Sequence, residues 1–256
     1  MSRKKPEAPD AAHYPRTRRA ASLLALTVLA LVLREFPASE ADAADGDSPA
    51  ETATSPGLVA TAAPATSLGR LFVPAIRYEN GYARHYDEQC SATIVSLVAA
   101  ETSHLLLSAW HCLEDYRDLS RAIVFETTNG ARYDVHLLAS GGGMHSDWAL
   151  LQLPVALPYP LTMGADAAAR RATLAGFPHG EALVVGRECA ITGRDGRDWR
   201  TDCVLLPGAS GGAALSTAAR PAYLGVISRG DRKTQSIFVP VERFIDHIRS
   251  HFSVTD

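Results

Sequence analysis

The chain has 256 residues, 46% of them hydrophobic, enough for one large packed core or two small ones. Its formal net charge of -3 spreads no basic field that would draw nucleic acid or an anionic membrane surface, so neither partner is expected.

The first stretch is polar and basic. It ends in Arg16-Thr17-Arg18-Arg19 and runs into apolar residues from Ala20 to Leu33, which Arg34 and Glu35 stop. About fourteen apolar residues fall short of the roughly twenty that span a bilayer. Residues 1–43 therefore read as a signal peptide, with a cleavage site at Ala41-Asp42-Ala43. The Arg18-Arg19 pair lacks the bulky Phe that usually follows in a twin-arginine signal, so general export is expected. The mature protein is expected to be secreted or periplasmic, with a membrane contact only if the apolar segment is retained. Residues 44–69 are dominated by Ala, Thr, Ser, Pro and Asp and read as a disordered linker or pro-segment, leaving 70–256 as the folded domain.

Short, apolar, turn-bounded strands are expected at 91–97, 105–109, 122–127, 131–138, 148–153, 172–177, 183–187, 204–206, 222–227 and 237–241. Breaks such as Thr128-Asn129-Gly130 and Gly193-Arg194-Asp195-Gly196 give the pattern of an all-β antiparallel barrel or sandwich. One helix is expected over 241–252, where Phe244, Ile245, Ile248 and Phe252 share a face. All four cysteines, Cys90, Cys112, Cys189 and Cys203, lie in this domain, and in an exported chain they are expected to form disulfides. Four cysteines allow three pairings; the hairpin-like spacing of Cys189 and Cys203 makes a local bridge attractive. No CxxC pair argues for zinc instead.

Three segments carry chemistry, in the order Ser108-Ala109-Trp110-His111-Cys112, Ser146-Asp147-Trp148-Ala149-Leu150-Leu151 and Pro207-Gly208-Ala209-Ser210-Gly211-Gly212. A serine hydroxyl is a poor nucleophile unless a base takes its proton and the developing oxyanion is stabilised. Ser210 is the candidate nucleophile, His111 the base where a buried strand emerges, and Asp147 the group that fixes the imidazole tautomer. Gly208 lets the backbone turn so that its N–H and that of Ser210 aim at one spot, while Gly211 and Gly212 are expected to leave room for a substrate carbonyl. His145-Ser146-Asp147 makes a poor metal site with no third cluster near it, and Arg229-Gly230-Asp231 reads as a chance match to an adhesion tripeptide.

With these motifs in this order, the chain from about Leu71 onward resembles the chymotrypsin-like (trypsin-like) serine proteases, especially their compact bacterial exported members. The resemblance implies two six-stranded antiparallel barrels with the active site between them and a C-terminal helix. It also implies a Cys90–Cys112 bridge, cleavage of protein or peptide substrates through an acyl-enzyme, and no cofactor or metal. Ala209 departs from the animal digestive members, which carry there an Asp that pairs with a newly cut N-terminus, so the oxyanion hole is expected to form without a terminal ammonium. The substrate pocket is expected to draw on Val204, Leu205, Ser228, Arg229 and Gly230. Val204, six before the nucleophile, disfavours a pocket for Lys or Arg and points to small or medium apolar side chains. Arg229 would favour an acidic group if it reached the cleft, and is otherwise expected to be solvated. The rival readings are a catalytically silent binding module on the same fold and a membrane-anchored protease.

Overall fold

In the computed structural model the described residues are 65–182 and 184–253. The expected signal peptide and nearly all of the expected linker lie outside them. No helix among the described residues is long and apolar enough to cross a membrane.

The first barrel begins with β1 (Leu68–Glu79) and β2 (Tyr82–Ser96), joined as a hairpin through Asn80 and Gly81, both at positive φ. It continues through β3 (Thr102–Ser108), β4 (Ile123–Thr127), β5 (Arg132–Ser140) and β6 (Ala149–Pro158). Strand order β1-β4-β5-β6-β3-β2, closed by β1–β2 pairing, makes six antiparallel strands, and β7 (Leu161–Thr162) adds a short parallel pairing to the end of β2. The second barrel is β8 (Arg171–Gly176), β9 (Val184–Asp195), β10 (Asp198–Thr201), β11 (Ala213–Leu215), β12 (Tyr223–Gly230) and β13 (Ser236–Pro240), closed in the order β10-β13-β12-β11-β8-β9. The all-β, double-barrel architecture is as expected.

Alternation fills the barrels. In β1, Leu71, Val73 and Ala75 are fully buried, while Arg70 and Phe72 are only partly buried. After β13 a 3-10 turn, Val241–Arg243, precedes helix α1 (Ile245–Ser253), so the expected helix starts four residues late. Phe244, Ile245 and Ile248 are buried in the larger core cluster, which joins residues of both barrels, and the Trp148 and Phe244 rings stack at 5.4 Å. That anchors the end of the chain beside the Asp147 segment.

Three local expectations need correction. Residues 204–206 form no strand: Val204 and Leu206 are 40% and 49% exposed, and the Leu205 N–H donates to the Ser236 hydroxyl rather than to a ladder. The break expected at 193–196 moves to Gly196 and Arg197, because β9 runs on to Asp195. Strands β1, β7, β10 and β11 have no counterpart among the expected strands. The two disulfides are Cys90–Cys112, tying β2 to the turn after β3, and Cys189–Cys203, within the second barrel.

Candidate active site

His111 stands where the buried run Leu106-Leu107-Ser108 of β3 gives way to a 3-10 turn, Trp110–Cys112. The Cys112 bridge to Cys90 pins that turn to β2. The His111 backbone N–H donates to Asp147 Oδ1 at 2.9 Å, and ring Nδ1 lies 2.8 Å from Asp147 Oδ2. With Asp147 ionised, Nδ1 carries the proton and Nε2 is the basic nitrogen, 3.9 Å from the Cys112 sulfur.

Asp147 is fully buried just ahead of β6. Its loop is closed by Gly141 N–H to Trp148 O and by Trp148 Nε1–H to Ser146 Oγ, at 2.9 and 3.0 Å. A side chain at Gly141 would start 1.7 Å from the Ser146 carbonyl, so only glycine lets the loop close this way. From the second barrel, Ser228 Oγ donates to Asp147 Oδ2 at 2.5 Å. A register shift between Ile227 and Arg229 drops Ser228 from the β12–β13 ladder and frees it to do so. Burial works to raise the Asp147 pKa, but the His111 ring and N–H and the Ser228 hydroxyl outweigh it and hold the carboxyl below its usual 3.8.

The loop that carries Ser210, the expected nucleophile, lies between β10 and β11. Gly208 has φ +95°, and a Cβ there would meet His179 Cδ2 at 2.4 Å. Within the loop, the N–H groups of Ala209, Gly211 and Gly212 donate to the carbonyls of Leu206, Ile227 and Ala209. Among the described residues, those of Gly208 and Ser210 donate to no protein group. Two unsatisfied donors on either side of Ala209, whose own N–H is paired, are a ready anion site. Gly211 and Gly212 serve a different purpose from the one expected. A Cβ on Gly211 would sit 2.1 Å from Ser91 O, and one on Gly212 would sit 2.3 Å from Ala175 O. These glycines admit the protein's own strands rather than a substrate carbonyl.

Ser210 Oγ donates to Ser228 O at 3.3 Å, and among the described residues no hydrogen bond joins it to His111. Both nevertheless line one cleft of about 370 Å³, with Gly208, Leu205, Ser228 and Gly230. Val204 is outside that lining. Arg229 borders the cleft, but its guanidinium donates to Asp198 at 3.1 Å and Asp195 at 3.0 Å. The guanidinium is thus committed to ion pairs, with about a third of the side chain still exposed. Asp231 is likewise occupied, accepting from the N–H groups of Lys233, Thr234 and Gln235. Cys90, His111 and Cys112 lie within metal-binding reach of one another, as do Cys189, Asp202 and Cys203, but in each group the thiols are joined as a disulfide and cannot act as thiolate ligands.

Sequence reasoning missed two residues that organise the site, Ser228's partner role and Ser91. Ser91 is buried against the nucleophile loop, and its hydroxyl donates to Gly208 O at 2.8 Å. Neither carried a local signal, because their partners are 81 and 117 residues away in the chain.

The sequence from 90 to 221, just over half of the chain, matches the family of trypsin-like peptidase domains. No curated protein matches. Among solved structures, the chain is similar in fold to the HtrA-type protease AlgW, solved with a decapeptide, at a TM-score of 0.59 and 17% identity. The alignment covers 75% of this chain and 66% of that one, so the chain spans just under two thirds of that protein's length.

Proposed function

The chain belongs to the trypsin-like peptidase family, and from that premise we propose that it is an exported serine endopeptidase working through Ser210, His111 and Asp147. The observation that carries this reading is the pair of unpartnered N–H groups, on Gly208 and Ser210, beside a histidine whose other nitrogen is held by a buried carboxylate.

The chemistry then runs as acyl transfer. Ser210 turns from Ser228 O toward His111 Nε2, a movement that a resting site tolerates before substrate binds. Its oxygen attacks the scissile carbonyl carbon while Nε2 takes its proton, and the new O⁻ accepts from the Gly208 and Ser210 N–H groups. The C–N bond breaks as His111 returns the proton to the leaving amine, giving an ester on Ser210. Water adds to the ester with its proton passing to His111; the C–O bond to Ser210 then breaks, the serine recovers the proton, and the new carboxyl product departs. Asp147 stays ionised throughout and stabilises the imidazolium.

An open cleft suits peptide substrates, and the apolar Leu205 and Ile227 in its lining favour small or medium apolar side chains before the cleaved bond. Export accords with two disulfides and no free cysteine among the described residues, which suits an oxidising compartment. The remaining segments are proposed as a signal peptide over 1–43 and a linker or pro-segment after it. Labelling of the purified, oxidised protein with a fluorophosphonate tests the reading. Modification confined to Ser210 and lost in Ser210→Ala is expected; a folded protein that takes no label would point to a silent binding module.

A further inference from the structure

Four peptide planes run through the nucleophile loop, and each carbonyl is held. Pro207 O accepts from the His179 N–H at 2.9 Å, Gly208 O from the Ser91 hydroxyl at 2.8 Å, Ala209 O from the Gly212 N–H at 3.0 Å and Ser210 O from the Ser91 N–H at 2.7 Å. One residue of the first barrel thus holds the carbonyls on both sides of Ala209. The Ser91 hydroxyl also accepts from the Phe177 N–H at 2.8 Å, which staples the end of β8 to Gly208. His179, the residue that holds Pro207 O, follows two positions later. Since C=O and N–H oppose each other across a trans peptide, fixing Pro207 O turns the Gly208 N–H away from His179, and fixing Ala209 O sets the direction of the Ser210 N–H. Ser91 is itself held, its carbonyl accepting from the Ser108 hydroxyl at 2.8 Å. Ala209 is buried at 1% exposure and contributes no polar side chain to this anchoring.

We propose that Ser91 is a positioning residue for catalysis: its side-chain hydroxyl, bridging Gly208 O and Phe177 N–H, fixes the Gly208–Ala209 peptide that links the two donor peptides and so keeps the oxyanion hole formed, the service for which Ala209 has no carboxylate. This rests on Ser210 being the nucleophile, but the ordering of the loop by Ser91 is measurable without any turnover. The hydroxyl makes its two bonds from a fully buried position, so Ser91→Ala leaves one donor and one acceptor without partners while keeping the Ser91 backbone bond to Ser210.

The experiment compares Ser91→Ala with Ser103→Ala in the full chain. Ser103 is a buried serine of β3 that likewise bridges two backbone groups, Val95 O at 2.6 Å and Leu105 N–H at 3.1 Å, outside the cleft lining. Hydrogen exchange is followed over 205–212, and kcat and KM are measured below both melting transitions. Ser91→Ala is expected to speed exchange in that segment and lower kcat about 10- to 100-fold, with KM within about threefold, because donors are misaligned rather than deleted. Ser103→Ala is expected to lower the melting temperature comparably and leave both readouts unchanged. Unchanged exchange in Ser91→Ala overturns the proposal, as does an equal effect from Ser103→Ala. An inert wild type whose loop still loosens in Ser91→Ala would overturn the peptidase reading and with it the catalytic role, and leave only the ordering of the loop by Ser91. Should Ser91→Ala not fold, Ser91→Thr and Ser91→Val, alike in shape, isolate the hydroxyl: slow exchange must survive in the first and be lost in the second.

Discussion

The Ser228 hydroxyl of the second barrel donates to Asp147 of the first, so the carboxylate that orients His111 is held from both sides of the cleft. Ser228 O accepts from Ser210 as well. One strand irregularity therefore couples the proposed nucleophile and the proposed orienting acid, and barrel packing and active-site geometry become one property.

Ser228→Ala removes a hydrogen bond to a buried charge and leaves Asp147 to the His111 ring and N–H alone. A stability loss of about 1–3 kcal/mol is expected, with an upward shift of the Asp147 pKa and a fall in kcat of roughly tenfold. Chemical denaturation and steady-state kinetics measure the two effects. A variant with wild-type stability and rate would show that the contact carries no weight.

Acid should act on this carboxylate in a defined direction. Its folded pKa is depressed, so the stabilisation it supplies is complete well above the ordinary value of 3.8 and is lost as pH falls through 3.8 and then through the lower folded value. Asp147→Asn cannot titrate. The melting-temperature gap between wild type and Asp147→Asn should be widest at neutral pH and close on acidification below about 4. At neutral pH the same variant should lose on the order of 10⁴ in kcat, because Asn favours the wrong imidazole tautomer. A gap that does not change with pH would contradict the assignment.

Specificity can be tested at Arg229. Its guanidinium is committed to Asp195 and Asp198, and Asp198 also accepts from Arg243, which reaches on to the His145 carbonyl beside the Asp147 loop. Arg229→Gln is expected to lower stability modestly, since the Arg229 pairs are partly exposed. It should leave the ratio of kcat/KM for Glu- and Ala-containing peptides unchanged within about twofold. A peptide series varied only at the residue before the cleaved bond decides this; loss of a preference for Glu would put the side chain back in the cleft.

Much of this was legible in the residues alone. The order His111, Asp147, Ser210 and the glycines around the serine carry local chemistry, and the apolar strands that deliver them alternate visibly. What escaped was set by long-range partners or by exposure. β1 contains Pro74, which argues against a central strand, yet Pro74 pairs only with Asp87 of β2 because β4 covers no more than Gly69–Phe72. The run Val204-Leu205-Leu206 looks like a core strand, but exposed apolar residues on a loop look the same in sequence. Ser91 and Ser228 sit in apolar stretches where nothing nearby announces their partners.

The close approach of the barrels at Gly211 offers the sharpest test of how the loop is built. Gly211 has φ +83°, and a Cβ would fall 2.1 Å from Ser91 O and 2.3 Å from Ser108 Oγ. Gly130 has the same φ of +83° with nothing within 4 Å of its would-be Cβ. Both alanine variants incur the strain of a left-handed backbone, about 1 kcal/mol. Only Gly211→Ala must also push the first barrel away from the nucleophile loop, adding about 1–3 kcal/mol of overpacking. Gly130→Ala should therefore unfold slightly earlier in denaturant and label with fluorophosphonate at the wild-type rate. Gly211→Ala should be several-fold more destabilised and, where still folded, label Ser210 at least about tenfold more slowly, since Ser91 can no longer hold the loop carbonyls. Equal behaviour of the two variants would mean that backbone strain alone, and not the fit of Ser91 against the loop, decides its geometry.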